Sequence, residues 1–243
     1  MKRLKRGVFL ALLIVGLLIG GCSPAPSETK EEAPITASSP KPEPEVETPS
    51  PTVEVVWFWC SNDVDDPYFR FVAMIHNPGT KALDGLETEW VAYDAEGSIV
   101  GSFKGKRPMI PPGATIPYAG GAGGANLSGM PASAQVTVTN VGRFVDETPQ
   151  VFTVADVTVT ADATNEYTVT AKATSGANEL ASAGIAATII LRNEAGDVVG
   201  GDFWVAEGLP EKLPPASTFR IELPYITTTG PAVSADVVVV EEY

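Results

Sequence analysis

The chain has 243 residues, of which 44% are hydrophobic and 19% are charged, so it carries enough apolar residues to build a buried core. Its 16 basic and 30 acidic residues give a formal net charge of −14, which argues against charge-driven binding to nucleic acid or to an anionic membrane. Two cysteines and one histidine exclude a disulfide-rich scaffold, a four-cysteine metal site and every site that needs two histidines.

The N-terminus has the pattern of a bacterial export signal. Four basic residues precede an apolar stretch over 7–21, which is shorter than the roughly 20 residues that a membrane-spanning helix needs. This stretch ends in LIGGC, residues 18–22, which resembles a bacterial lipobox. The resemblance implies a signal peptide over 1–21, cleavage before Cys22 and a diacylglyceryl lipid on that cysteine. The alternatives are an ordinary secretory signal with an incidental cysteine, or an anchor that is not cleaved.

Residues 22–54 have the composition of a tether. The segment 23–54 holds eight of the 21 prolines, separated by serine, threonine and glutamate, and it has no aromatic residue. Such a composition cannot bury enough apolar surface to offset the entropy lost on ordering. We therefore expect residues 22–54 to be a disordered, proline-rich linker.

The rest of the chain contains an internal repeat. The segment 92–101 aligns with 191–200, 110–115 with 213–218, and 134–138 with 235–239. The three matches keep the same order at offsets near 100 residues, which indicates a divergent tandem duplication. The sequence therefore predicts two domains, at 55–145 and 146–243.

The apolar spacing within each repeat is typical of β-strands. Phe69, Phe71, Ala73 and Ile75 alternate along one run, and valines alternate with threonines in several others. Turn residues rich in Gly, Pro and Asn separate these runs, whereas the run 178–184 is read as a loop. These features predict an all-β chain with two tandem Ig-like antiparallel β-sandwiches of about seven strands each.

One motif in the first repeat resembles a known family. The sequence WVAYD at 90–94, followed by Gly97 and by Pro112-Gly113, resembles the FxLYD domain, although the second repeat keeps only Leu191 of the motif. The resemblance implies an extracytoplasmic Ig-like sandwich found in bacterial lipoproteins, and it transfers no catalytic residue. From its chemistry alone, Asp94 is expected to cap the following turn, and Gly97 to supply a positive φ.

Few residues in the predicted domains could carry chemistry. His76 is predicted to be a solvated strand-end histidine, and Cys60, which has no partner once Cys22 is lipidated, is predicted to be a buried free thiol. A redox role or an intermolecular disulfide is the alternative for Cys60. The acidic cluster Asp63, Asp65 and Asp66 is predicted to be a solvated hairpin, with a Ca²⁺ site as the less favoured alternative.

Two further features are open to interpretation. The glycine-rich stretch 120–124 lacks the Lys-Ser/Thr that follows a phosphate-binding loop, so it is predicted to be a flexible loop. The tryptophans Trp57, Trp59 and Trp90 would form a binding platform if they were exposed, and sandwich anchors if they were buried.

The sequence therefore favours a protein of the cell envelope that is lipid-anchored, extracytoplasmic and non-enzymatic. Its expected role is to bind another envelope protein or to act as a spacer, with no cofactor beyond the lipid on Cys22. The alternative is a module that binds glycan or cell wall through exposed Trp57, Trp59 and Trp90.

Overall fold

The computed structural model describes residues 50–147, 149–150, 152–163 and 166–241. The predicted signal peptide, Cys22 and all of the predicted tether before residue 50 lie outside these residues. Within them the chain forms strands and two short 3₁₀ turns, at Gly124–Asn126 and Ser182–Gly184. The strands are β1 (Thr52–Cys60), β2 (Tyr68–His76), β3 (Ala82–Asp84), β4 (Glu87–Tyr93), β5 (Ile99–Lys106), β6 (Thr115–Gly123), β7 (Ser133–Asn140), β8 (Arg143–Val145), β9 (Thr153–Ala161), β10 (Tyr167–Thr174), β11 (Leu180–Ala181), β12 (Ile185–Arg192), β13 (Val198–Val205), β14 (Lys212–Leu213), β15 (Thr218–Ile226) and β16 (Ser234–Glu241).

The prediction of an all-β fold built from antiparallel sandwiches is confirmed. In the first sandwich, sheet β1-β2-β6 packs on sheet β5-β4-β7, and β3 pairs with β8. In the second, sheet β9-β10-β15 packs on sheet β13-β12-β16, and β11 pairs with β14. All of these strand pairs are antiparallel.

The two sandwiches repeat one another down to their irregularities. The β4–β5 ladder shifts register between Ala92 and Tyr93, and the β12–β13 ladder shifts at the equivalent step between Leu191 and Arg192. The turn after each shifted strand closes in the same way, because the Gly97 amide donates to Asp94 and the Gly196 amide donates to Asn193. The Asp94 side chain accepts from the Glu96 and Ser98 amides, and Gly97 has a φ of 84°, as its sequence predicts.

Each sandwich has its own apolar core. In the first, Phe69, Phe71, Ala73 and Ile75 all face inward, as the alternation along β2 predicts. Trp90 and Ala92 face them from β4, where buried and half-buried residues alternate. In the second, the core is formed from both sheets by a larger aliphatic cluster, which includes Val169, Ile189, Leu191 and Ile221.

The sheet β1-β2-β6 is buried on both of its faces. Its second face carries Trp57, Val72 and Ala119, which form a buried cluster with Ile190 of the second sandwich. The β2 sequence FVAMI has apolar residues at successive positions, which is the pattern of a strand that is covered on both sides. The two sandwiches are therefore joined by packed side chains as well as by the chain itself.

The equivalent face of the second sandwich is polar and exposed. The positions of Trp57 and Trp59 are taken by Thr158 and Thr160, and those of Arg70 and Val72 by Thr168 and Thr170. The hydroxyls of Thr158 and Thr170 lie 2.7 Å apart across the β9–β10 ladder. The same face of one sheet is thus aromatic and covered in the first repeat, and built of threonine in the second.

The structure corrects three of the sequence predictions. Strand β1 begins at Thr52, so the last residues of the predicted tether belong to the fold. The run 178–184 contains strand β11 and a 3₁₀ turn rather than only a loop. Residues 120–123, which include three glycines and Ala122, belong to strand β6. The Phe71 ring lies where a side chain at 120 would be, 2.8 Å from the position of an added Cβ.

The repeat offers a matched test of backbone strain at the turn before β6 and before β15. Gly113 has a φ of 66°, and its counterpart Ala216 has a φ of 56°, in the left-handed region that costs an alanine about 1–2 kcal/mol. We expect Ala216→Gly to leave the free energy of unfolding unchanged or to raise it by up to about 1 kcal/mol. The gain from relieved backbone strain is partly offset, because glycine gives the unfolded chain more conformational entropy. We expect Gly113→Ala, which meets no atom within 4 Å, to destabilise by about 1 kcal/mol. Urea unfolding of both variants measures this, and effects of the same sign at the two positions would contradict it.

Candidate groove between the two sandwiches

The contact between the sandwiches is built around Trp57. Its ring is 6% exposed, and its indole Nε1 donates to the Thr229 hydroxyl of the second sandwich at 3.2 Å. Thr229 in turn donates to the Val199 carbonyl at 3.2 Å, which fixes the hydroxyl as an acceptor for the indole. Gly201 allows the close approach, since a Cβ there would lie inside van der Waals contact with Val72.

A partly buried ion pair lies beside this apolar contact. Nε of Arg70 on β2 lies 3.3 Å from the Asp202 carboxylate on β13, close enough for an ion pair but without hydrogen-bond alignment. The Arg70 guanidinium also lies over the rings of Tyr68 and Phe203, at 4.7 and 5.5 Å from their centroids. Burial raises the pKa of the Asp202 carboxyl, because desolvation outweighs the attraction of Arg70 that lowers it.

Next to this contact, the two sandwiches enclose a groove of about 580 Å³. Its first side is the open edge of the first sandwich, where β5 and β6 carry Phe103 and the glycine pair 120–121. Its second side is formed by β12, β13 and the end of β16, with Phe203 and Val205 both exposed to solvent. The volume lies within the range of about 300–1,000 Å³ that is usual for small-molecule sites, which often form at domain interfaces.

Arg107 is the buried charge of this groove. It follows β5, is 8% exposed, and its guanidinium lies 3.8 Å from the centroid of the Tyr118 ring. Its Nε is buried and has no hydrogen-bond partner in the part of the chain that the structure describes. The ion pairs among those residues do not include Arg107 either. A buried cation normally has such a partner, so this side chain is unusual.

The lining of the groove has a composition that the protein as a whole does not share. The net charge of the chain is −14, yet the described lining residues include Lys106 and Arg107 and no Asp, Glu, His or Cys. The remaining lining is aromatic, aliphatic, glycine, or neutral and polar. The arrangement is suited to holding an anionic group beside an apolar body.

The tryptophans do not form a binding platform, because such a platform requires all three to be exposed. Trp57 and Trp90 are each 6% exposed, Trp57 at the contact between the sandwiches and Trp90 in the first core. Trp59 is half-buried, packs at the edge of the Trp57 contact, and lies 6.1 Å from the Tyr68 ring. The platform of three exposed tryptophans is therefore wrong, because the second sandwich covers the face on which two of them lie.

The remaining candidate residues lie away from the groove. His76 is at the end of β2, where its Nδ1 is 3.1 Å from the Thr115 hydroxyl. Cys60 is a free cysteine at the end of β1, half-buried against the first core, rather than fully buried as predicted. Neither residue lines the groove.

The acidic cluster forms a turn at the surface. The Asp63 carboxylate accepts hydrogen bonds from the backbone amides of Asp65 and Asp66, and all three residues are exposed. Among the described residues, no group of three or more His, Cys, Asp or Glu side chains could hold a metal ion. The Asp63 carboxylate is thus used to shape the hairpin, as a solvated turn would use it.

Sequence reasoning did not find Arg107. A single arginine between a strand and a proline matches no motif, and the opposite side of the groove comes from residues about 80 to 130 positions later in the chain. The one available signal was indirect, in that the two-sided apolar pattern of β2 implies a partner surface close by.

Comparisons with known proteins add little to the geometry. No family model matches the chain, and no curated protein matches it. One solved structure that the chain resembles is the X-ray structure of Northeast Structural Genomics Consortium target SoR45, at 15% identity over 66% of this chain and 86% of that one, with a TM-score of 0.21. Across residues 50–241, as far as they are described, no helix has the length and hydropathy needed to cross a membrane.

Proposed function

We propose that the protein is a non-enzymatic binding module of the cell envelope, lipid-anchored at Cys22 and held outside the cytoplasm on the 22–54 tether. The lipobox-like sequence supports the anchor, and the FxLYD-like motif supports an extracytoplasmic sandwich. In this proposal the two sandwiches act as one body, and the ligand lies in the groove between them.

The observation that carries the binding role is the groove itself. Two sandwiches that only spaced a partner from the membrane would not need a mutual contact with a buried tryptophan, nor beside it a buried arginine whose Nε has no hydrogen-bond partner among the described residues. The groove lining lacks the His, Cys, Asp and Glu side chains that most often act as general bases or nucleophiles, which favours binding over catalysis.

A role as a glycan-binding module through tryptophans is not proposed, because Trp57 and Trp90 are covered. Binding to another envelope protein remains compatible with the groove, provided that the bound part is small enough to enter it.

Two measurements in living cells test this proposal. Replacement of Cys22 by alanine is expected to abolish metabolic labelling with palmitate and to move the protein from the membrane fraction to a soluble one. A photo-crosslinking residue at Val205, which is exposed at the groove, is expected to capture a ligand, whereas the same residue at Thr158 on the threonine face is not. Unchanged lipid labelling without Cys22 would refute the anchor, and equal capture at both positions would refute the groove.

A further inference from the structure

We infer that Arg107 binds the carboxylate of a small organic acid, and that the apolar or aromatic body of this acid fills the groove between the sandwiches. The inference rests on the proposed binding function and names the chemical class of its ligand. It is carried by the burial of Arg107, by the residues that hold its guanidinium, and by the charge and volume of the groove.

The burial of Arg107 is the first step. An ionised group transferred out of water is stabilised only if it is paired and hydrogen-bonded, and an arginine cannot escape by losing its proton. The contact with the Tyr118 ring supplies a cation–π attraction, but a ring accepts none of the five guanidinium N–H donors. Nε is left buried without an acceptor in the described chain, so a bound anion would complete the site.

The absence of a side chain at Gly105 leaves the space that the Arg107 guanidinium occupies. A Cβ on Gly105 would lie within clashing distance of an Nη atom of Arg107. The guanidinium therefore occupies the space beside the Gly105 backbone and also lies over the Tyr118 ring, and these two contacts restrict where it can lie. A preorganised planar fork of this kind matches a carboxylate, which accepts two parallel hydrogen bonds.

The rest of the groove determines what is attached to the carboxylate. Phe103, Phe203 and Val205 expose apolar surface to it, and the glycines 120–121 also line it. Exposed aromatic side chains of this kind bind an apolar or planar body, and they supply few polar partners to a hydrated ion.

The charge of the groove indicates a carboxylate rather than a phosphate. Arg107 supplies one buried positive charge, and Lys106 is exposed and can stay solvated. A phosphate monoester carries nearly two negative charges and three acceptor oxygens, which this set of donors would leave partly unpaired. A monocarboxylate matches the single buried charge.

Ligand-observed ¹⁹F NMR on the purified full-length chain tests the inference with three matched probes. They are 4-(trifluoromethyl)phenylacetate, its neutral amide, and 4-(trifluoromethyl)phenyl phosphate. We expect the ¹⁹F resonance of the carboxylate probe to broaden when the protein is added. We expect this probe to bind at least about tenfold more tightly than the amide, because only the carboxylate pairs with the buried guanidinium.

The variants assign any binding to the groove. Arg107→Met and Gly105→Ala are each expected to weaken carboxylate binding about tenfold, the second because its methyl group would displace an Nη atom of the guanidinium. Lys104→Ala removes an equal charge from the same strand, at an exposed side chain outside the groove, and is expected to bind like the parent. Circular dichroism confirms that each variant is folded.

Each other outcome overturns the inference. The carboxylate would be ruled out as the ligand group if acid and amide bound equally or if the acid did not bind. It would also be ruled out if Arg107→Met and Gly105→Ala bound the acid as tightly as the parent. Tighter binding of the phosphate would assign a different anion. Capture at Val205 in cells without carboxylate binding would leave the proposed function standing and refute only the ligand class.

Discussion

Replacement of Asn77 by alanine is expected to destabilise the first sandwich by about 2–4 kcal/mol. Asn77 is fully buried, and its side-chain amide donates to the carbonyls of Lys81, Ile110 and Pro111 at 2.9–3.1 Å. Its Oδ1 accepts from the Gly79 amide at 2.9 Å. Alanine would leave several buried polar groups short of a partner, each of which costs about 1–3 kcal/mol when none replaces it.

Asn140 provides the matched control. Its Oδ1 accepts from the amide two residues later, as in Asn77, but the side chain is exposed, so water replaces the lost bond. Urea unfolding is expected to give less than about 1 kcal/mol for Asn140→Ala. A similar cost for the two substitutions would contradict the account of Asn77 as a buried connector.

Replacement of Trp57 by alanine is expected to destabilise the chain by about 3–5 kcal/mol and to uncouple the two sandwiches. The substitution removes a buried aromatic ring from the cluster with Val72 and Ile190, together with the hydrogen bond to Thr229. Differential scanning calorimetry is expected to show one unfolding transition in the parent and two in Trp57→Ala.

Two further variants separate the contributions to this contact. Trp57→Phe keeps most of the apolar area and is expected to keep a single transition at a modest cost. Trp90→Ala removes a ring of equal size from the first core. It should therefore lower the stability of the first sandwich and leave the contact between the two sandwiches intact. A single, unshifted transition in Trp57→Ala would show that the sandwiches are not coupled through this ring.

Much of the fold could be predicted from local chemistry. Period-two spacing identifies β2 and its core residues, and the turns after β4 and β12 follow from Asp94 and Asn193 with a glycine three residues later. The glycine-rich stretch 120–124 was predicted wrongly over 120–123, because glycine by itself suggests a loop. Only the packed structure shows that the Phe71 ring takes the place of the missing side chain.

The groove could not be predicted in the same way. Its two sides come from strands that are distant in sequence, so its lining depends on how the two sandwiches approach one another. Trp57 illustrates the same limit, since the sequence offered exposure or a sandwich core, and the structure places the ring at a third location between the domains.

The threonine face of the second sandwich differs from its counterpart in what it could pack against. If every repeat carried the aromatic face of the first, each could pack on a following copy, and the chain could grow into a solenoid or an open filament. Thr158, Thr160 and Thr170 stand in place of Trp57, Trp59 and Val72, and their hydroxyls bond to one another or to backbone, so these positions offer no apolar side chain of that size for another copy to cover. The second repeat thus lacks the apolar surface through which the first repeat packs on its neighbour.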